Sequence, residues 1–168
     1  MRYAGIKEND IVDGEGVCVS FWCQGCCHLC VGCHNPSTWD IDGGLELPNT
    51  YIEDIISLLS KNGIQRNLSI LGGEPCLDSN VSIVLPLLKK VRQEAKFSKI
   101  YLWSGFTFEG LLQRDNTKEL LQYVDVLIDG KFELENRDIT LKFRGSPNQR
   151  VIDVQKSLQS CKVVLYSD

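Results

Sequence analysis

The chain reads as an α/β protein with a parallel sheet covered by helices, on three observations. Short β-branched and aromatic runs alternate with longer stretches whose apolar residues recur at helical spacing. A turn or loop rich in Gly, Cys or Asp follows several of these runs directly. No repeat, low-complexity tract or polar linker divides the 168 residues, a length that suits one domain spanning 1–168. Strand, loop and helix in repetition make a parallel sheet.

The elements follow in order. Val17 to Trp22 is β-branched and aromatic and predicts a strand, with a cysteine-rich loop immediately after it. Tyr51 to Lys61 carries Ile52, Ile55, Ile56, Leu58 and Leu59 at helical spacing, with Thr50 placed to cap its start and Gly63 to end it. Leu68 to Leu71 is a short buried strand running into Gly72-Gly73-Glu74-Pro75. A helix over about 80–96 contains Pro86, which begins its regular part or kinks it. Lys99 to Trp103 is a strand, and Phe106 to Gln113 and Thr117 to Tyr123 are short helices. Val124 to Ile128 is a strand ending at Asp129-Gly130-Lys131, and Lys162 to Tyr166 reads as a last strand after the loop Arg144 to Gln149. In parallel sheets ligands bind where strand carboxyl ends feed into loops. The cysteine loop, the Gly-Gly-Glu-Pro turn and Asp129-Gly130-Lys131 therefore belong on one rim.

Composition excludes several classes. Hydrophobic residues make up 43% and charged residues 24%, the mix of a soluble globular chain. A formal charge of −4 argues against a nucleic-acid or anionic-membrane binder, both of which need a basic surface. No apolar run reaches the length of a membrane span, and the first residues lack the apolar core of a signal peptide, so a cytoplasmic location is expected.

Six of the eight cysteines fall between Cys18 and Cys33, and in a reducing compartment such a cluster points to a metal rather than to disulfides. Cys23-x2-Cys26 with Cys30-x2-Cys33 has zinc-like pairs, but three residues between pairs is cramped for a tetrahedral ion. Cys27-x2-Cys30-x2-Cys33 starts a ferredoxin run, yet Ser37 stands where the fourth cysteine belongs. Cys26-x3-Cys30-x2-Cys33 puts three thiolates on one short loop, enough for three corners of a 4Fe–4S cube with the fourth iron open. An open metal position is what catalysis needs. Cys18 alternates with its strand neighbours as a small core residue, and Cys23 and Cys27 read as spare packing residues.

Cys26-x3-Cys30-x2-Cys33 followed by Gly72-Gly73-Glu74-Pro75 resembles the radical S-adenosylmethionine (SAM) superfamily. Asp10 to Gly16, Cys33-His34-Asn35-Pro36-Ser37-Thr38-Trp39, Val126 to Phe132 and Arg144-Gly145-Ser146-x-Asn148-Gln149 narrow it. Together they resemble the activating proteins of anaerobic ribonucleoside-triphosphate reductases, over about residues 3–152. Two positions depart: Cys27, often Pro in relatives, and Leu71, often a hydroxyl residue.

The resemblance implies a 4Fe–4S cluster on Cys26, Cys30 and Cys33, with SAM as second cofactor. It implies SAM contacts from Gly32, Cys33, His34, Gly72, Gly73 and Glu74, the glycine turn meeting the methionyl amino group. Asp129 and Lys131 are implied partners of SAM's amino and carboxylate groups. Trp103 and the Arg144–Gln149 loop have no role beyond a wall of the pocket or partner interface. The implied partners are the glycine-bearing C-terminal loop of the reductase and a flavodoxin or ferredoxin-like electron donor. The implied core is an incomplete TIM-type barrel of roughly five or six β/α units, because a closed barrel takes about 250 residues. Alternatives of the same chemistry are an activator of pyruvate formate-lyase or another glycyl-radical enzyme, and a nucleoside-modifying radical enzyme. The alternative of another class is a non-catalytic zinc or iron–sulfur module.

Overall fold

A computed structural model describes residues 1–167; position 168 of the expected domain lies outside them. Seven strands form one open mixed sheet in the order β3-β1-β2-β4-β5-β6-β7. They are β1 (Arg2–Asp10), β2 (Cys18–Cys23), β3 (Leu45–Glu46), β4 (Asn67–Gly72), β5 (Ile100–Ser104), β6 (Val126–Asp129) and β7 (Arg150–Asp153). The parallel part is β2-β4-β5-β6. Its crossovers carry α1 (Tyr51–Leu59), α2 (Asp78–Glu94), and α3 (Phe108–Leu111) with α4 (Asp115–Leu121). Antiparallel strands flank it, β1 and β3 on one side and β7 on the other. The parallel strands thus number four, fewer than the five or six repeats expected.

Period-two alternation sorts the core. Leu68, Ile70, Ile100, Leu102 and Leu127 join Ile55, Leu59, Val84, Leu87, Leu88 and Val91 of the helices in the main cluster. Tyr101, Val126 and Ile128 belong to a second cluster, packed with Trp103, Phe143, Val151 and Tyr166. Each fully buried Leu or Ile contributes about 2 kcal/mol, so the main cluster dominates the fold's stability. Helix α1 ends at Leu59 rather than Lys61, and Thr50 does not cap it through its side chain but donates to Asp54 Oδ2 at 2.9 Å. Pro86 lies inside α2 on its exposed side, so the backbone bond lost there faces water.

The expected last strand is corrected. Residues 162–166 contribute only an isolated bridge, Ile152 to Leu165. The edge strand is β7, and α5 (Val154–Ser160) turns the chain back so that Asp153 N–H donates to Val164 O and Tyr166 N–H to Val151 O. Asp153 starts α5 by accepting from Lys156 N–H at 3.0 Å. Among the described residues, no helix is long and apolar enough to cross a membrane.

Candidate metal centre

The four parallel strands deliver their carboxyl ends to one rim. There the residues after β2, β4, β5 and β6 enclose a cavity of about 660 Å³, within the range of small-molecule and cofactor sites. Cys26, Cys30 and Cys33 all line it and all are free thiols, half-buried. Burial raises the Cys26 thiol, against the pull of the His28 and Leu29 amides. Cys33 Sγ accepts from Asn35 N–H at 3.4 Å. Among the described residues no three Cys, His, Asp or Glu side chains converge as a single-ion site requires.

The other cysteines separate cleanly. Cys18, Cys23 and Cys76 are buried, and burial pushes their thiols up. Cys27 is exposed and does not line this cavity, so it is not the packing residue expected; Cys161 is exposed as well.

The Gly-Gly turn is stitched to the root of the cysteine loop. Gly73 N–H donates to Cys23 O at 2.9 Å and Glu74 N–H to Gly25 O at 2.8 Å, while Gly25 and Cys26 donate to Thr38 O and Trp39 O. A Cβ on Gly73 would stand 2.3 Å from Gly25 O, and one on Gly72 2.6 Å from Cys23 O, with Gly72 at φ +108°. Both glycines are therefore required by backbone packing, apart from any ligand. Both also line the cavity.

The remaining expected residues divide. Gly32, His34 and Lys131 line the cavity with the thiols. Glu74 does not line it. Its carboxylate is buried and accepts from Cys76 N–H (2.8 Å), Ser104 Oγ (2.9 Å) and Gly105 N–H (2.8 Å), with His28 Nε2 at 2.7 Å. Asp129, 1% exposed, is likewise turned away: it meets the Arg150 fork and accepts from Phe108 N–H at 2.7 Å. Asp129 and Lys131 thus face different surroundings, Arg150 for the one and the cavity for the other, and the carboxylates of Glu74 and Asp129 are both engaged by protein donors. Trp103, Arg144, Gly145 and Gln149 form part of the wall, as their motif implied, and Trp103 Nε1 donates to Phe143 O at 2.7 Å.

Sequence reasoning left His28, Gly105, Asp13 and Trp39 without a role, although all four line the cavity. Gly105 follows β5 and was reachable by the same strand-end rule as Gly72 and Gly130. Burial, and then the charge of Asp10, raise Asp13 to about 6. Trp39 Nε1 is buried and meets no acceptor.

Known proteins share this arrangement of sequence. The model of a 4Fe–4S single cluster domain family matches residues 12–152. Curated relatives named anaerobic ribonucleoside-triphosphate reductase-activating protein align along most of both chains. The Vibrio cholerae relative is 39% identical over 150 residues, 89% of this chain and 96% of its own. The chain belongs to the anaerobic ribonucleoside-triphosphate reductase-activating protein family. The enterobacteria phage T4 member is 38% identical over 151 residues, 90% of this chain and 93% of its own. The Escherichia coli K12 member is 34% identical over 152 residues, 90% and 97%. The family alignment thus spans the cysteine loop, the glycine turn and β6, the segments that build the rim.

Proposed function

We propose that the chain, acting as one domain over residues 1–168, activates an anaerobic ribonucleotide reductase as a radical SAM enzyme with an incomplete TIM-type barrel core. The single observation carrying this is that Cys26, Cys30 and Cys33, and no other cysteine, line the rim cavity together with the Gly72–Gly73 turn. Three unpaired thiols of compact spacing suit a 4Fe–4S cluster with one open iron, and the space beside them suits SAM. When bound, this pair supplies one-electron reductive cleavage of SAM to methionine and a 5′-deoxyadenosyl radical, which takes a hydrogen from a glycine of the reductase.

The chain's own residues bind, orient and shelter. The three thiols hold the cluster at one end of the cavity. Gly32, Cys33 and His34 shape the loop side, and the Gly72–Gly73 turn offers backbone carbonyls to an ammonium group. Lys131, which also lines the cavity, suits a carboxylate. Trp103, Phe132 and Phe143 line the wall and exclude water there. The sheet is open, so the reductase's glycine-bearing loop supplies the missing cover, and a flavodoxin or ferredoxin-like donor supplies the electron from outside. The reaction proceeds in the cytoplasm, away from oxygen.

The test is anaerobic reconstitution followed by electron paramagnetic resonance. A brown protein with a 4Fe–4S signal that cleaves SAM on reduction, and that raises a glycine-centred doublet on the reductase, is the expected result. Single Ala substitutions at Cys26, Cys30 or Cys33 abolish cleavage, whereas Cys27→Ala and Cys161→Ala retain it. A colourless zinc protein, or full SAM cleavage in any of the three ligand variants, overturns the reading.

A further inference from the structure

Residues 27–36 form the part of the cysteine loop that projects beyond its stitched root. Among the described residues, this stretch sends one hydrogen bond to the rest of the sheet: His28 Nε2 to Glu74 Oε2, at 2.7 Å. Its other bonds stay local, such as Cys33 N–H to Cys30 O. Cys26 is already tied to Trp39 O in the root, and His28 stands between it and Cys30, so whatever holds the ring also holds Cys30 relative to the sheet.

The ring's place is set three times over. Glu74 accepts from Cys76 N–H, Ser104 Oγ and Gly105 N–H, and the Nε2–H tautomer of His28 gives the carboxylate its fourth donor. Phe106 meets the ring edge-on, with centroids 4.5 Å apart. Gly105 leaves the room: a Cβ there would lie 2.3 Å from His28 Cδ2. The same Glu74 oxygen that receives His28 also receives Gly105 N–H. One buried carboxylate therefore ties the cysteine loop to the turns after β4 and β5, two walls of the cavity.

We infer that Glu74 is a positioning residue that latches the cysteine loop through His28, rather than a contact to the cofactor. The inference rests on the reading of Cys26, Cys30 and Cys33 as cluster ligands. Outer partners that orient metal-binding groups carry about 10- to 100-fold of metal affinity, which sets the scale of the effect. His28→Ala removes the latch and leaves Glu74 three donors. Gly105→Ala removes no hydrogen-bonding group and displaces the ring by contact alone. Glu74→Gln turns an amide N–H₂ against a donor.

The experiment measures chelator-driven cluster loss and the resonance spectrum of the reduced cluster in the holoprotein of each variant. His28→Ala and Gly105→Ala are expected to release the cluster about tenfold faster than wild type. The double variant His28→Ala/Gly105→Ala is expected to match His28→Ala alone, because the added Cβ then meets no ring. A lower melting temperature with release within twofold of wild type and an unchanged spectrum overturns the latch, as do additive effects. Alkylation of Cys30 and Cys33 in the metal-free chain is the second readout, expected to accelerate in His28→Ala; unchanged alkylation overturns the latch too. Should wild type hold no 4Fe–4S cluster, the ligand reading falls, while alkylation still decides whether Glu74 and His28 fix the loop.

Discussion

Substituting Gly73 by Ala probes the seam on which the site depends. The new Cβ would lie 2.3 Å from Gly25 O, 2.8 Å from Gly25 C and 2.9 Å from Thr38 O, all backbone atoms. No flexible side chain can yield, so the turn and the loop root must move apart. Overpacking of this kind costs about 1–3 kcal/mol. The separation also strains two hydrogen bonds, Gly73 N–H to Cys23 O and Glu74 N–H to Gly25 O, worth about 1 kcal/mol each. The sum is about 3–5 kcal/mol, or roughly 6–20 °C in melting temperature for a chain of this length. Thermal unfolding of the metal-free chain, followed by far-ultraviolet circular dichroism under reducing conditions, measures it. Gly5→Ala is the control, because a Cβ there meets nothing within 4 Å, and it should shift stability by about 0.5 kcal/mol or less. A Gly73→Ala loss no larger than that of Gly5→Ala would refute the claim that backbone contact requires this glycine.

Three further outcomes are expected. With its carboxyl raised from 3.8 to about 6, the folded chain binds the Asp13 proton more tightly than the unfolded chain does. Stability therefore falls as pH rises across that window and stays lower above it, and Asp13→Asn should raise the melting temperature at pH 7.5 and flatten the profile between pH 4 and 6. Arg150→Ala leaves the buried carboxylate of Asp129 with only the Phe108 N–H, a loss of about 3 kcal/mol measurable by urea unfolding. Lys131→Ala should weaken SAM binding about fivefold in calorimetry, the effect of ~1 kcal/mol from an ion pair at a half-wet site, with the apo melting temperature unchanged.

What the chain spells out locally could be read from it directly. The Cys26-x3-Cys30-x2-Cys33 spacing, its place after a strand and the strand-end positions of Gly72 and Gly130 depend on neighbouring residues, and the structure brings them to one rim. Glu74 and Asp129 were assigned to a cofactor because their motifs are local, whereas their partners are not: His28 lies 46 positions away and Arg150 lies 21. Strand β1 escaped notice because Lys7, Glu8, Asn9 and Asp10 make its second half polar, and its pairing with β2 decides the matter. Residues 162–166 have strand-like composition, but β7 already occupies the edge of β6, so they find room for one bridge.

The contiguity of the three thiols has a temporal consequence. All three leave the ribosome within eight residues of one another, long before β6 or the 144–149 loop exists. On the proposed reading of these thiols as cluster ligands, a nascent chain offers iron a binding loop before it offers any wall to shield it. The shelter is complete only when segments more than a hundred positions downstream have docked, so productive loading belongs to the finished fold, and iron captured earlier sits open to oxidants.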